Sequence, residues 1–124
     1  MSPWDVEYTD EFDEWYQTLT EAEQDAVIAR VELVEALGPA LGRPIVDNVH
    51  QSRHANMKEL RAEQGVRLLF AFDPRRTAIL LIGGDKSPHT PGTPNWNQWY
   101  DHYTPIADDL YDTHLAELRD EGLI

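Results

Sequence analysis

The chain has 124 residues, 41% of them hydrophobic, with four Trp, five Tyr, three Phe, no Cys and a formal net charge of −13. That is enough apolar material for one domain, residues 1–124, around a single core; it excludes a disordered chain, a disulfide framework and a thiolate metal site. No apolar run approaches the ~20 residues of a membrane helix, and the acidic start Met-Ser-Pro-Trp-Asp-Val-Glu has no signal-type apolar stretch, so a soluble cytoplasmic protein is expected.

Trp4-Asp-Val-Glu-Tyr8 alternates apolar and polar residues and reads as a half-buried strand. Thr9 or Asp10 can cap the helix that follows, in which Phe12, Trp15, Tyr16 and Leu19 form one apolar stripe. Thr20-Glu-Ala-Glu23 is a capping box, so a second helix starts at once. Val27, Val31 and Val34, flanked by Ile28, Leu33 and Leu37, predict its buried face, and Gly38-Pro39 ends it. Residues 38–53 are broken by Gly38, Pro39, Gly42 and Pro44 and read as irregular.

Three short strands are then expected, around Met57–Arg61, Val66–Phe72 and Ala78–Ile82. Gly65 closes the first turn between them, and Asp73-Pro74 opens a type I turn for the second. The last two strands are apolar at both parities, which predicts cover on both sides or a mid-sheet position. Ser87–Asn95, with three prolines and a glycine, reads as a loop or lid. Trp96, Trp99, Tyr100 and Tyr103 repeat at helical spacing, and Thr104-Pro105 reads as cap and first residue of a new helix running to Gly122. The sum is an α+β domain: a small antiparallel sheet with helices packed on one face.

Charge is spread unevenly. Residues 1–42 hold one basic and eleven acidic side chains, 43–86 hold eight and five, and 87–124 hold one and seven. The acidic total opposes non-specific binding of nucleic acid, while the basic centre can hold a phosphodiester if another surface does the recruiting.

Arg67 interrupts an apolar strand and its planar fork suits two phosphate oxygens; the plain alternative is a strand-end arginine paired with Glu63 or Asp85. Lys58 could serve as a base or as an electrostatic clamp, beside Arg61. Residues 58 and 61 differ in parity, so either a bulge intervenes or only one faces a site. Lys86 follows Gly83-Gly84, whose small size lets a backbone or ligand approach. His54 is the histidine nearest this cluster and could act as acid or base, a loop histidine being the alternative. His50, His54 and Asp47 do not make a ligand set, so no metal and no cofactor is expected. His114, between Leu110 and Leu118, reads as a satisfied core histidine. Tyr100 or Tyr103 could stack on a base, though an aromatic stripe is more often core.

The order of these motifs resembles the RelE/HigB toxins of type II toxin–antitoxin pairs. The residues that carry the likeness are Met57-Lys58-Glu59-Leu60-Arg61, Val66-Arg67-Leu-Leu-Phe after a glycine, and Ile79-Leu-Leu-Ile-Gly-Gly-Asp85-Lys86. The tail Trp96-Asn-Gln-Trp99-Tyr100 with Pro105-Ile-Ala-Asp108 looks like the extension of a HigB-like branch. The resemblance implies a RelE/ParE-like fold, with an N-terminal helix hairpin on the sheet and a C-terminal helix. It also implies a metal-independent, ribosome-dependent mRNA endonuclease silenced by a cognate antitoxin, and places the family's strand arginine at Arg67; Lys58, Arg61, Lys86 and His54 stand beside it as candidate catalytic residues on the chemistry above. Such toxins are usually basic, and this chain is not. A ParE-like inhibitor of DNA gyrase, or an inert interaction protein, would use the same scaffold.

Overall fold

The computed structural model describes residues 3–85 and 96–124. Five strands form one sheet in the order β1-β5-β4-β3-β2, from β1 (Asp5–Tyr8), β2 (Val46–Asn48), β3 (Met57–Arg61), β4 (Val66–Phe72) and β5 (Thr77–Asp85). All neighbours are antiparallel except β1, which lies parallel to β5. β2 falls in the stretch expected to be irregular: three residues between proline and loop carry too short a pattern to show a period.

Helix α1 (Asp10–Gln17) is capped by Thr9, whose Oγ1 accepts from Phe12 N. The capping box at Thr20 and Glu23 forms with both of its hydrogen bonds and starts α2 (Glu21–Leu37). Gly38 ends α2 at φ 55°, and a side chain there would collide with the Trp4 indole. Val27, Val31 and Val34 are buried as their spacing predicts, whereas Ile28 and Leu37 face outward.

Helices cover both faces of the sheet, not one. On one face Leu60, Val66, Leu68, Phe70 and Leu80 pack against Phe12 and the α2 valines. On the other, Met57, Leu69, Ala71, Ile79 and Leu81 pack against Trp99, Ala107 and Tyr111 of α3 (Trp96–Asp120). This is why β4 and β5 are apolar at both parities: each residue meets a layer of helix on its own side.

α3 runs straight through Thr104-Pro105, where a fresh start was expected. Proline removes one helical hydrogen bond, but Trp99, Tyr103, Ala107, Tyr111 and Leu118 keep a single buried stripe on either side of it, and that packing holds the helix in one piece. Gly83 and Gly84 have a packing reason of their own. A Cβ on Gly83 would sit 2.3 Å from the Trp15 ring, and one on Gly84 2.4 Å from Tyr103. Two aromatic rings, one from each helical layer, occupy the space that the glycines leave for the approach of a backbone or ligand.

Candidate active site on the α3 face

Strand alternation sorts the cations. Met57, Glu59 and Arg61 share the α3 face of β3, while Lys58 and Leu60 share the other. β3 pairs regularly with β4, so no bulge brings Lys58 and Arg61 together. Arg61 lies opposite Arg67, which lies opposite Gly84; one row over, Asp47, Glu59, Leu69 and Ile82 line up across β2 to β5. Arg61 and Arg67 therefore stand side by side on adjacent strands, with Glu59 and Asp47 in the next row.

Glu59 is the centre of this arrangement and is 1% exposed. Its Oε1 accepts from Arg67 Nη1 at 3.0 Å and lies 3.7 Å from Arg61 Nε. Its Oε2 accepts a short hydrogen bond from the Tyr100 hydroxyl of α3. Arg61 Nη2 also bonds Asp47 Oδ2 at 3.2 Å, and Asp47 Oδ1 pairs with Arg43 Nε at 3.1 Å. Among the described residues, three guanidiniums thus face two carboxylates, a local excess of positive charge on a strongly acidic protein. Arg61 Nε is buried without a hydrogen-bond partner among the described residues. A buried donor left unmade is costly, and an anion arriving beside Glu59 would satisfy it.

The electrostatics set protonation states. Burial first, then the bond to Glu59 and its charge, push the Tyr100 hydroxyl up to about 12, so it stays a proton donor at neutral pH. Burial acts to raise Asp47, but the Arg43 hydrogen bond, the Asn48 backbone amide and the Arg43 and Arg61 charges outweigh it and hold the carboxyl below its usual range.

The five candidates from the sequence divide. Arg67 and Arg61 come together, each held by a carboxylate. Arg67 bonds Glu59, while Glu63 lies 4.0 Å from Arg30; the side chain of Asp85, the other expected partner, lies outside the described residues. Lys58 is on the opposite face, donating to Asn48 Oδ1. There it lines a polar groove of about 410 Å³ with Arg43, Asp47, Asn48 and His50. Those last four also line a smaller groove that reaches Tyr100, so the two grooves meet around the edge of β2. His54 is elsewhere: its Nε2 is 2.7 Å from Asp112 Oδ1 and its ring stands edge-on to Tyr111. Asp112 lies twelve residues beyond Tyr100, about 18 Å along α3, so His54 is not part of the cluster. With Arg53, which pairs with Asp108, Asp109 and Asp112, it ties the β2–β3 connection to α3. Lys86 lies outside the described residues.

Glu59 was missed as a participant because a glutamate inside a strand reads as a solvated alternation. Its parity with Arg61 was the available signal. No group of three or more His, Cys, Asp or Glu able to hold a metal is found among the described residues. None of the described helices is long and apolar enough to cross a membrane.

A sheet of this order with a helical pair on one face and a long helix on the other is the RelE toxin fold. Three solved structures share it at 8–18% identity, which speaks for the fold alone. The toxin–antitoxin complex RelBE2 from Mycobacterium tuberculosis matches at TM-score 0.53 and 18% identity over 67% of this chain and 98% of that one. An arginine-to-alanine double mutant of Escherichia coli RelE in the free state gives 0.55 and 8%, over 70% and 86%. The archaeal RelE–RelB complex from Pyrococcus horikoshii gives 0.53 and 14%, over 68% and 96%.

Sequence narrows the class. A family model described as phage derived protein Gp49-like matches residues 14–112. A candidate toxin of Mycobacterium tuberculosis, HigB3, is 46% identical over 109 residues, covering 87% of this chain and 90% of the relative. A second from the same organism, HigB2, is 46% identical over 110 residues, 86% of this chain but 52% of the relative, so the chain spans about half of HigB2. The chain belongs to the Gp49-like family and to the RelE/HigB-like toxins of type II toxin–antitoxin systems.

Proposed function

We propose that this toxin is a ribosome-dependent mRNA endonuclease that cuts by attack of the substrate's own 2′-OH, using the cluster around Glu59. The observation that carries the reading is one buried carboxylate held between two arginines of adjacent strands and a protonated tyrosine from α3. Transesterification of RNA needs a proton acceptor for the 2′-OH, cations around the phosphorane and a donor for the leaving 5′-oxygen. Glu59 supplies the acceptor, Arg61 and Arg67 the cations, and Tyr100 the donor. Arg61 is a third exposed, so its guanidinium can meet an entering phosphate. Lys58 acts as an outlying clamp on the RNA backbone where the grooves round the β2 edge, and Lys86 is retained from the sequence as a further phosphate cation. His54 takes a structural role.

A chain of this charge is repelled by ribosomal RNA except through its basic centre, so engagement through that face alone follows. The cytoplasm is where such a substrate is met. A cognate antitoxin is the expected partner, as two of the structural neighbours are complexes of a toxin with its antitoxin. One observation favours a second reading, a gyrase-binding inhibitor that does not cut: Arg61, Arg67 and Arg43 are each already paired with a carboxylate.

Inducing the toxin without its partner and mapping mRNA 5′ ends separates the two. The nuclease reading expects in-frame cuts that fall about 10²–10³-fold in Arg67→Ala, the usual cost of removing one donor to a developing anion, with gyrase supercoiling intact. Loss of supercoiling without cuts overturns it in favour of the inhibitor.

A further inference from the structure

β1 is one end of the sheet, and no strand pairs with its outer side among the described residues. Thr9 N donates to Leu80 O on the β5 side, and Trp4 N donates to Glu35 O on the other side. By the alternation of a parallel pair, the odd residues of β1 direct their backbone groups at β5, and Val6 and Tyr8 direct theirs at the open edge. Tyr8 is 62% exposed.

A groove lies on each side of that edge. Towards α1 and α2, a cavity of about 370 Å³ has an apolar floor of Val6, Phe12, Val31 and Leu80, with the outward-turned Ile28 at its wall and Asp13 and Glu35 on its rim. Towards α3, a second of about 370 Å³ is polar and acidic, lined by Glu7, Asp10, Glu11 and Glu117. Neither lining contains a lysine or an arginine. Glu7 is paired with Arg75, but Asp10, Glu11, Asp13, Glu35 and Glu117 make no ion pair among the described residues. A strand laid along β1 would send successive side chains alternately into the two grooves. Apolar side chains fit the first, cationic ones the second.

We propose that the outer edge of β1 is a docking strand for an extended segment of the antitoxin in which apolar residues alternate with lysine or arginine. The segment adds a sixth strand to the sheet, takes its hydrogen bonds from Val6 and Tyr8, and neutralises the acid of the helix hairpin. The surface is remote from Glu59, at the opposite end of the sheet, so it holds the partner without covering the cluster. The proposal rests on the antitoxin partner named above and not on the cutting chemistry.

The test uses the full chain and a blocked octapeptide alternating lysine and valine, with an alternating glutamate–valine peptide as control. Saturable binding at least tenfold tighter for the lysine peptide is expected, with slowed amide exchange at Val6 and Tyr8. The same two amides should slow in the complex with the co-expressed cognate antitoxin. Tyr8→Pro, tolerable because that N–H makes no bond within the sheet, should abolish binding. Should that variant not fold, Glu11→Gln with Glu117→Gln, both at exposed positions, should weaken it severalfold. Equal binding of the two peptides, binding unchanged in these variants, or an antitoxin complex in which Val6 and Tyr8 exchange at the free rate overturns the proposal. Cleavage scored in parallel keeps the two readings apart. A toxin that cuts but does not hold the peptide sinks the docking strand alone; one that holds it and never cuts sinks the nuclease alone.

Discussion

The α3 face of the sheet carries two buried carboxylates, built from similar parts and differently used. Asp73, at the tip of the β4–β5 hairpin, accepts from Arg75 Nη2 at 2.8 Å and from the Arg75 backbone amide at 2.8 Å, and lies 2.9 Å from His114 Nε2 of α3. Glu59, mid-strand, accepts from Arg67 and from Tyr100 of α3, with Arg61 alongside. Each is a carboxylate, an arginine and a ring from the same helix. The difference lies in sequence distance. Asp73 is served by its own turn, two residues away, and a phosphate has nothing to gain there. Glu59 gathers two guanidiniums from neighbouring strands, and Arg61 Nε beside it has no hydrogen-bond partner among the described residues. The first arrangement closes a turn; the second gathers charge at a point, which is what a reaction needs.

The largest expected effect is at the point where the comparison is most easily broken. Glu59→Gln keeps the shape and the contact with Tyr100 but cannot take a proton, so cleavage per folded molecule should fall about 10²–10⁴-fold, the usual worth of a positioned acid or base. Glu59→Ala is less informative, because it strands the arginines and should cost about 3–5 kcal/mol of stability. Thermal melts alongside the cleavage assay decide the matter. If Glu59→Gln lowers the melting temperature and leaves cleavage untouched, Glu59 is a staple like Asp73 and the two clusters are the same thing.

How each cluster could be read in the sequence follows from the same distinction. Asp73-Pro74-Arg75 announces a turn because every partner is within reach of local chemistry, and the turn forms where it was expected, with Arg76 at φ 67° and its guanidinium over the Trp4 ring. Capping at Thr9 and Thr20, the valine face of α2 and the two-sided strands β4 and β5 were legible for the same reason. The Glu59 cluster needs the register between β3 and β4, which pairs Arg61 with Arg67, and nothing local fixes that number. Arg67 and Arg61 were found by residue type. Lys58 and His54 were grouped with them by nearness in sequence, and strand alternation and a helix anchor separate them in space. The unbroken α3 escaped for a related reason: Pro105 is a local stop signal overridden by a stripe of contacts to distant strands.

Asp73 supplies the next prediction. Burial alone would raise its carboxyl, but hydrogen bonds from Arg75 and His114 outweigh that and hold it below its usual range. A carboxyl lowered on folding contributes stability that is present above the unfolded value, near pH 4, and is lost as pH falls through the lower folded value. Asp73→Asn should therefore cost about 1–3 kcal/mol at neutral pH, the penalty for leaving buried donors ill-served. It should also shrink the difference from the parent chain below about pH 4. Cleavage per folded molecule should not change. A drop in cleavage without a drop in stability would give the hairpin tip a part in the chemistry and erase the contrast with Glu59.

The smallest effect separates the two faces of β3. Lys58 shares a strand with Glu59 and Arg61 but turns the other way, to Asn48 and the groove that rounds β2. If it clamps the RNA backbone from there, Lys58→Ala should raise KM a few-fold and leave kcat alone, because a contact equal in ground and transition states alters binding without altering the chemical step. Stability should stay within about 0.5 kcal/mol, as for most substitutions outside the core. The same salt titration that reports the loss of one phosphate contact in this variant should show a shallower slope by about one unit of log KM per log salt. A fall in kcat as deep as that of Glu59→Gln would mean that the substrate wraps the edge of β2 so tightly that the two faces act as one site. Strand alternation would then no longer sort the catalytic cations from the clamp.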